Sequence, residues 1–556
     1  MSLIRSAARA GKVVKNVGRL REIVTTMARF GFGALVQRTG LGRFVDPLSR
    51  RDETGTIYST PVRLRLLFEE LGPTFIKIGQ ILGGRPDLIP PDFVTELQKL
   101  QDSTQTLSIT EIRPLIEAEI QGPLEKCFSS FDTEALASAS IAQVHAARTL
   151  QGEDVVVKIQ KPDVEKKLYQ DLEILEILAF GIEKAIPELK IFRPVAVVEE
   201  FKRILLEETD FRHEATNILQ FRKNFSGSDF LVIPRVYSEL STRKLLVLER
   251  LRGVKLSQFE SFQSLGISPA EVLRKGMDAF FKSIMVDGFF HGDPHPGNIL
   301  VLPDGRMGLL DFGSVGKLSR KSRMSIINMF LALLAEDYDA LVWEYVQISP
   351  AISGQGRSTS RLDQMSRDVA ALYTPYHGLP LKDIPSGKLL MEATGVAFRN
   401  NIVLPADLVL VFKAVMTLEG IGRLLDPNFD LVGAATKYST ILIKERYNPK
   451  RITKDLLFFV RDLSRLLRIA PRQMGETLRQ LESGEFRLNF RIVDLEKYSR
   501  SQSAGASKIS LSIVAVGLLL CSAYVASNDA VPIWAQLSLW TASLSVSGLV
   551  VLRSLR

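Results

Sequence analysis

The stretch Phe290 to Leu300, FHGDPHPGNIL, gathers His291, Asp293, His295 and Asn298 behind a run of apolar residues. Two chemistries use such a set. His291, Asp293 and His295 alternate as metal ligands on a strand would, whereas an aspartate followed five positions later by an asparagine suits a phosphoryl-transfer loop. The residues beyond Asn298 decide between them, because LLDFG follows, with Asp311 ahead of Phe312 and Gly313. Zinc would need third and fourth nitrogen or sulfur ligands at normal spacing, and the loop offers none. In the phosphoryl-transfer reading Asp311 and Asn298 each give an oxygen to a magnesium ion, and Asp293 faces the acceptor as base or orienting carboxylate. His291 and His295 then shape the loop.

These groups need a cation and a carboxylate upstream. After a turn at Gln151 to Asp154, the β-branched run VVVKI predicts a strand carrying Lys158. Before it lies the small-residue segment ASASIAQVHAA, residues 137–147, and after it EETDFRHEA within a helical stretch from Ala196 to Phe225. FLVIPRVY and KLLVLERLRG predict two strands, the second ending in a polar link from Glu249 to Gly253. The order is small-residue loop, strand lysine, helical glutamate, apolar strand with linker, Asp-x4-Asn loop and Asp-Phe-Gly. That is the order of parts in a protein-kinase-like fold. Ser314 to Lys321 then runs almost at once into a helical pattern from Met324 to Leu334, leaving no room for a peptide-docking segment ending in Ala-Pro-Glu.

Upstream of the loop, Pro73 suits the first position of a helix on which Phe75, Ile78 and Leu82 share a face. Lys77 and Gln80 point away from that face, and Gly79 beside them lets another backbone come close. Near the N-terminus, Val13, Val17, Leu20, Val24 and Met27 form a helical stripe with Lys12, Lys15 and Arg19 opposite. A basic helix of this kind can lie on an anionic membrane or serve as a transit segment, but the style of the following residues favours one packed or lying on the body.

Taken together, KIGQ at Lys77 to Gln80, ASASIAQVH, VVVKIQKP, EETDFRHEA, FHGDPHPGN and LLDFG resemble the UbiB/AarF family of atypical kinase-like proteins, linked to ubiquinone and related isoprenoid-quinone biology. The resemblance implies an atypical, two-lobe, kinase-like α+β fold that binds ATP and Mg2+. It implies that Ala137, Ser138, Ala139 and Ser140 replace the glycine-rich nucleotide loop, that Lys158 pairs with Glu214, and that Glu249 lies at the nucleotide hinge. It further implies that Glu208 and Asp210 meet the helix of Lys77 and Gln80, laid over the pocket where a protein kinase takes its peptide. Asp293, Asn298 and Asp311 match the catalytic and magnesium positions. An ATPase, a small-molecule or lipid kinase, a protein kinase of membrane proteins and a non-catalytic scaffold all remain open on this reading.

The expected domains are a helical extension (1–110), a kinase-like domain (111–435, lobes about 125–253 and 254–435), a helical tail (436–505) and two transmembrane helices (506–556). The tail holds a short alternating strand at Phe486 to Ile492. The last part rests on two uncharged runs, Ile509 to Ser527 and Val531 to Leu552, each close to the ~20 residues that cross a bilayer. Lys508 before them and Arg553 and Arg556 after them place both ends, and the kinase-like domain, on the cytoplasmic side, or the matrix or stroma of an organelle. A net charge of +9 asks for an anionic partner, and these runs favour membrane lipids over nucleic acid, while the resemblance implies isoprenoid quinone precursors. Other proteins of quinone biosynthesis are further expected partners. Cys127 and Cys521 are the only cysteines, which excludes a disulfide framework.

Overall fold

The computed structural model describes residues 16–45, 58–85, 88–100, 106–186, 193–349, most of 359–435 and short segments between 516 and 545. The chain divides into two compact units, residues 1–448 and 449–556. Among the described residues no helix is long and apolar enough to cross a membrane. The two uncharged runs lie for the most part outside those residues, as do the tail at 436–505 and its expected strand.

The first unit opens with α1 (Val17–Met27), α2 (Gly33–Arg38), α3 (Thr60–Leu71), α4 (Pro73–Gly83) and α5 (Pro91–Leu97). Part of the expected stripe on α1 is packed: Leu20 and Val24, with Ile23, are fully buried against Leu67, Leu71 and Phe75, whereas Val17 is exposed and Val13 lies outside the described residues. Opposite that face Arg19 reaches Asp171 at 2.8 Å. On α4 the apolar face is as the spacing predicts, with Phe75 and Ile78 buried. Gly79 does allow a close approach, but by side chains and not by backbone. A Cβ there would collide with Leu100 and Phe68.

Next come α6 (Ile109–Glu119) and the strands β1 (Phe128–Ser138), β2 (Ala142–Thr149) and β3 (Asp154–Gln160). The expected boundary at residue 110 thus falls in the first turn of α6. Then follow α7 (Val164–Ala185), α8 (Pro194–Glu208) and α9 (Phe211–Asn224). The single helical stretch expected from Ala196 to Phe225 is therefore two helices. They part at Thr209 and Asp210, where the Asp210 carboxylate accepts the Arg212 N–H at 3.1 Å and starts a new helix.

Two short elements, β4 (Leu231–Val232) and β5 (Leu245–Glu249), complete the lobe's chain. FLVIPRVY is mostly not a strand, since Pro234 cannot donate to a ladder, and beyond β4 only the Val236–Leu248 bridge remains. The main sheet is antiparallel in the order β1-β2-β3-β5. Alternation on β3 buries Val155, Val157 and Ile159 with Ile112 and Ile116 of α6. The same period of two turns Lys158 to the other face.

The second lobe holds β6 (Val254–Lys255), α10 (Pro269–Phe281), β7 (Phe289–His291), β8 (Ile299–Val301), β9 (Met307–Leu309) and β10 (Val315–Lys317). Helices α11 (Arg320–Leu334), α12 (Tyr338–Ile348), α13 (Thr359–Tyr373), α14 (Ser386–Arg399) and α15 (Ala406–Leu425) follow. Pairing of β7 with β10 brings the start of the loop at His291 against Val315. Ser319 caps α11 by accepting the Ser322 N–H, so only Ser314 to Ser319 separate Gly313 from a helix.

The link from β5 to β6 is sterically fixed at Gly253, where a Cβ would fall on the backbone carbonyl of Val301. Gly253→Ala should lower stability by about 1–3 kcal/mol, seen as a reduced thermal midpoint of the solubilised chain. Gly227→Ala, whose Cβ would meet open space, serves as the control. Equal midpoints for the two variants would contradict this packing.

Candidate active site

On β3, the Lys158 Nζ donates to Glu214 Oε2 at 2.7 Å, and the ring of Phe211 lies 5.3 Å from that nitrogen. Glu214 sits in the first turn of α9, held there by the new start at Asp210. Its carboxylate also accepts the backbone N–H of Phe312. One turn further on, Asn217 donates to the Phe312 carbonyl at 3.0 Å. The helix therefore joins the strand lysine to the Asp-Phe-Gly turn through both main-chain polar groups of one residue, Phe312.

Phe312 is fully buried, 5.2 Å from the ring of Phe221 on the same helix and 6.0 Å from His291. That anchor orients Asp311, whose Oδ1 accepts the Gly313 N–H at 2.8 Å. Burial would push the Asp311 carboxyl up, but Lys158, the Gly313 N–H, His291 and Lys77 hold it below its ordinary value. Burial likewise opposes the Lys158 ammonium, yet Glu214, Asp311 and Glu208 outweigh it and raise its pKa. Burial, with Asp311 beside it, pushes the Glu214 carboxyl up against the pull of Lys158, while the ammonium of Lys158 and the carboxylate of Asp311 are both favoured.

The loop after β7 is stiffened by its own backbone. His291 Nδ1 accepts the Asp293 N–H at 3.1 Å, His295 Nδ1 accepts the Gly297 N–H at 3.2 Å, and Asn298 Nδ2 reaches the Asp293 carbonyl at 3.4 Å. Both histidines thus shape the loop, as their positions suggest. Burial pushes the His291 imidazole down, against the pull of Asp311 and Asp293. With its amide nitrogen turned inward, Asn298 has a carbonyl oxygen left to give to a cation. Mg2+ takes one or two protein oxygens and leaves the rest of its shell to phosphates and water. Asp311 and Asn298 fit that demand, and Lys158 fits a phosphate.

At the small-residue loop, Ala137 and Ser138 end β1, and the Ala139 N–H donates to the Ala142 carbonyl at 2.8 Å to close the hairpin. Ser140 is buried, and Lys161 donates to Ser138 Oγ at 2.9 Å. Gln143 exchanges hydrogen bonds of 2.9 and 3.0 Å with the backbone of Leu107 and meets His145 at 2.9 Å. These last two residues belong to the ASASIAQVH motif, and their role as buried anchors of the loop is visible only in the fold. Glu249, expected at the nucleotide hinge, ends β5 with its carboxylate accepting the Arg235 N–H at 3.0 Å.

The helix of KIGQ covers this assembly through one of the two expected contacts. Lys77 pairs with Glu208 at 2.5 Å. Gln80 instead donates to the Leu100 carbonyl at 3.3 Å, fixing α4 to the segment after α5. Asp210 serves as the α9 cap and binds the Arg212 guanidinium at 2.6 Å. Of the expected meetings, that of Lys77 with Glu208 is formed, while Gln80 binds the Leu100 carbonyl and Asp210 binds Arg212.

A residue that the motifs do not mark completes the site. Lys413 on α15 reaches Asp293 Oδ1 at 3.3 Å, and its stem passes beside Gly84 at the end of α4. It is a lone charge in the apolar run LVLVFKAVM, which was the available signal. Lys413→Met should cut phosphate release from ATP at least tenfold with nucleotide affinity within about twofold, because the charge beside Asp293 is lost. Lys413→Arg should keep most of the activity. Wild-type turnover in Lys413→Met would contradict this placement.

With this geometry in view, the chain is similar to known proteins along most of its length. Residues 99–345 match the ABC1 atypical kinase-like domain, and residues 369–430 the UbiB helical domain that contains Lys413. A protein of Aeromonas salmonicida named "Probable protein kinase UbiB" is 34% identical over 87% of this chain and 88% of its own. A protein of the same name from Xanthomonas campestris is 31% identical over 94% of this chain and 97% of its own. On these matches the chain belongs to the UbiB family of atypical kinase-like proteins.

Proposed function

We propose that this protein is a membrane-anchored, magnesium-dependent ATPase or small-molecule kinase that supports isoprenoid-quinone synthesis. The observation that carries the reading is the ion pair of half-buried Lys158 with buried Glu214, tied through Phe312 to an ionised Asp311. Lys158 and the loop from Ala137 to Ser140 would hold the phosphates, with Glu249 and the linker after it beside the base. Magnesium, held by Asp311 and Asn298, would supply charge that neutralises the phosphate oxygens. Asp293 would take the proton of an attacking water or hydroxyl as its oxygen bonds to the terminal phosphorus and the bond to the leaving phosphate breaks.

Two features favour a small acceptor over a peptide. The segment from Ser314 to Ser319 is too short for a docking platform, and α4, fixed by Lys77 and Glu208, covers that side of the site. The uncharged runs at 509–527 and 531–552 support anchoring at a bilayer, where a polyprenyl tail stays in lipid while its head group is reached from the surface. Membrane lipids, quinone precursors and other quinone-biosynthesis proteins are the partners this reading names, and nucleic acid is not among them. The relatives' name supports a second reading, a protein kinase acting on other membrane proteins.

The test is phosphate release by the full chain in lipid nanodiscs with magnesium and ATP, with and without a phenolic quinone-precursor mimic. Turnover that rises with the phenol and falls at least a hundredfold in Asp311→Asn is the expected result. Nucleotide binding with no turnover in any condition would favour a scaffold, and labelled membrane proteins in place of free phosphate would favour the protein kinase.

A further inference from the structure

Two tyrosines of the second lobe have no use in the site described above. The buried face of α12 runs Leu341, Val342, Tyr345 and Ile348, and that of α13 runs Met365, Val369 and Tyr373. The two helices pack on each other, and Tyr345 is 0% and Tyr373 4% exposed within one apolar cluster. Phenylalanine would fill both places without burying a hydroxyl. Each residue carries one nonetheless, and neither hydroxyl has a hydrogen-bond partner among the described residues. A buried hydroxyl normally finds a partner, because an unpaired one has given up its bonds to water for nothing. The buried hydroxyl of Thr394 on the adjacent α14 is not available, since it donates to the Met391 carbonyl at 2.6 Å. The Tyr345 hydroxyl is pushed well above its ordinary value by burial and then by the hydroxyl of Tyr373, so the two lie within each other's field.

We propose that Tyr345 and Tyr373 form an internal hydration site that binds one water molecule between their hydroxyls. Each phenol both donates and accepts, so a single water can donate to one and accept from the other. Outward from Tyr373, the ring of half-buried Tyr338 stacks at 5.7 Å and gives the site a polar edge towards the surface. Inward, the ring of Tyr345 lies 6.5 Å from that of Phe412, the residue before Lys413. The water therefore ties α12 to α13 in the core against which the Lys413 segment of α15 is packed. Buried waters of this kind satisfy polar groups that the chain itself leaves unpaired, and they are costly to remove. The inference rests on burial and on the two unpaired hydroxyls, not on the phosphoryl-transfer reading.

The experiment compares thermal midpoints of the full chain in a neutral detergent for Tyr345→Phe, Tyr373→Phe and the double variant, with Tyr58→Phe at an exposed position as the control. The sign of the shift decides. Removing one hydroxyl from a bridged pair strands the other, whereas removing an unsatisfied hydroxyl relieves the fold. Each single variant should therefore melt about 1–2 °C below wild type. The double variant should lose less than the sum of the two, because both partners of the water are then gone. Midpoints equal to or above wild type in both single variants would overturn the site. A crystal structure of the chain that shows ordered water completes the test. Density for one water within hydrogen-bond distance of both hydroxyls is expected, and hydroxyls bonded directly to each other would overturn the proposal.

Discussion

A lysine ammonium half withdrawn from water among carboxylates is the constraint around which the first unit is built. Lys158 is stable there only because Glu214 meets it directly and Asp311 and Glu208 add their fields. Removing Lys158 would leave the buried Glu214 carboxylate without its nearest cation, which is destabilising. The surrounding elements can be read as what that pair requires. Strand alternation must turn Lys158 away from the α6 core, α9 must begin where it does so that Glu214 falls in its first turn, and the Phe312 peptide must sit where Glu214 and Asn217 can hold it.

The same economy explains how four separate pieces of chain share one site. The extension contributes Lys77, the helices after β3 contribute Glu208 and Glu214, the loop after β7 contributes Asp293 and Asn298, and the helical region at the end of the unit contributes Lys413. Lys413 is the joint between the last two, and its stem lies against the end of α4 as well. Lys413 thus lies between the Asp293 loop and the end of α4.

Much of this was legible in the residues, and the exceptions have physical reasons. VVVKI fixed the face of Lys158 because a strand has a period of two, and Phe75 and Ile78 fixed the buried face of α4 because a helix has one of 3.6. The Asp-x4-Asn loop and LLDFG marked the kinase-like domain, in which the structure places them side by side. Local pattern did not reveal that the stretch from Ala196 to Phe225 breaks, since Asp210 acts as a cap only once Phe211 is placed against β5 and Arg243. With it went the expected partner of Gln80. Lys413 was hidden for the opposite reason: a single lysine in an apolar helix has no local partner, and Asp293 is far away in sequence. Gln143 and His145 were read as part of a loop, although burial among backbone groups makes them its anchor.

The most direct test of the central claim is a double-mutant cycle on magnesium–ATP binding, using Lys158→Met, Glu214→Gln and the two together in the full chain. If the pair acts as one unit that presents the lysine to phosphate, each single change should weaken binding strongly and the double variant should bind no worse than Lys158→Met. Additive losses, or affinity unchanged by Glu214→Gln, would contradict the account, because the lysine would then meet nucleotide without the carboxylate that the fold is arranged to supply.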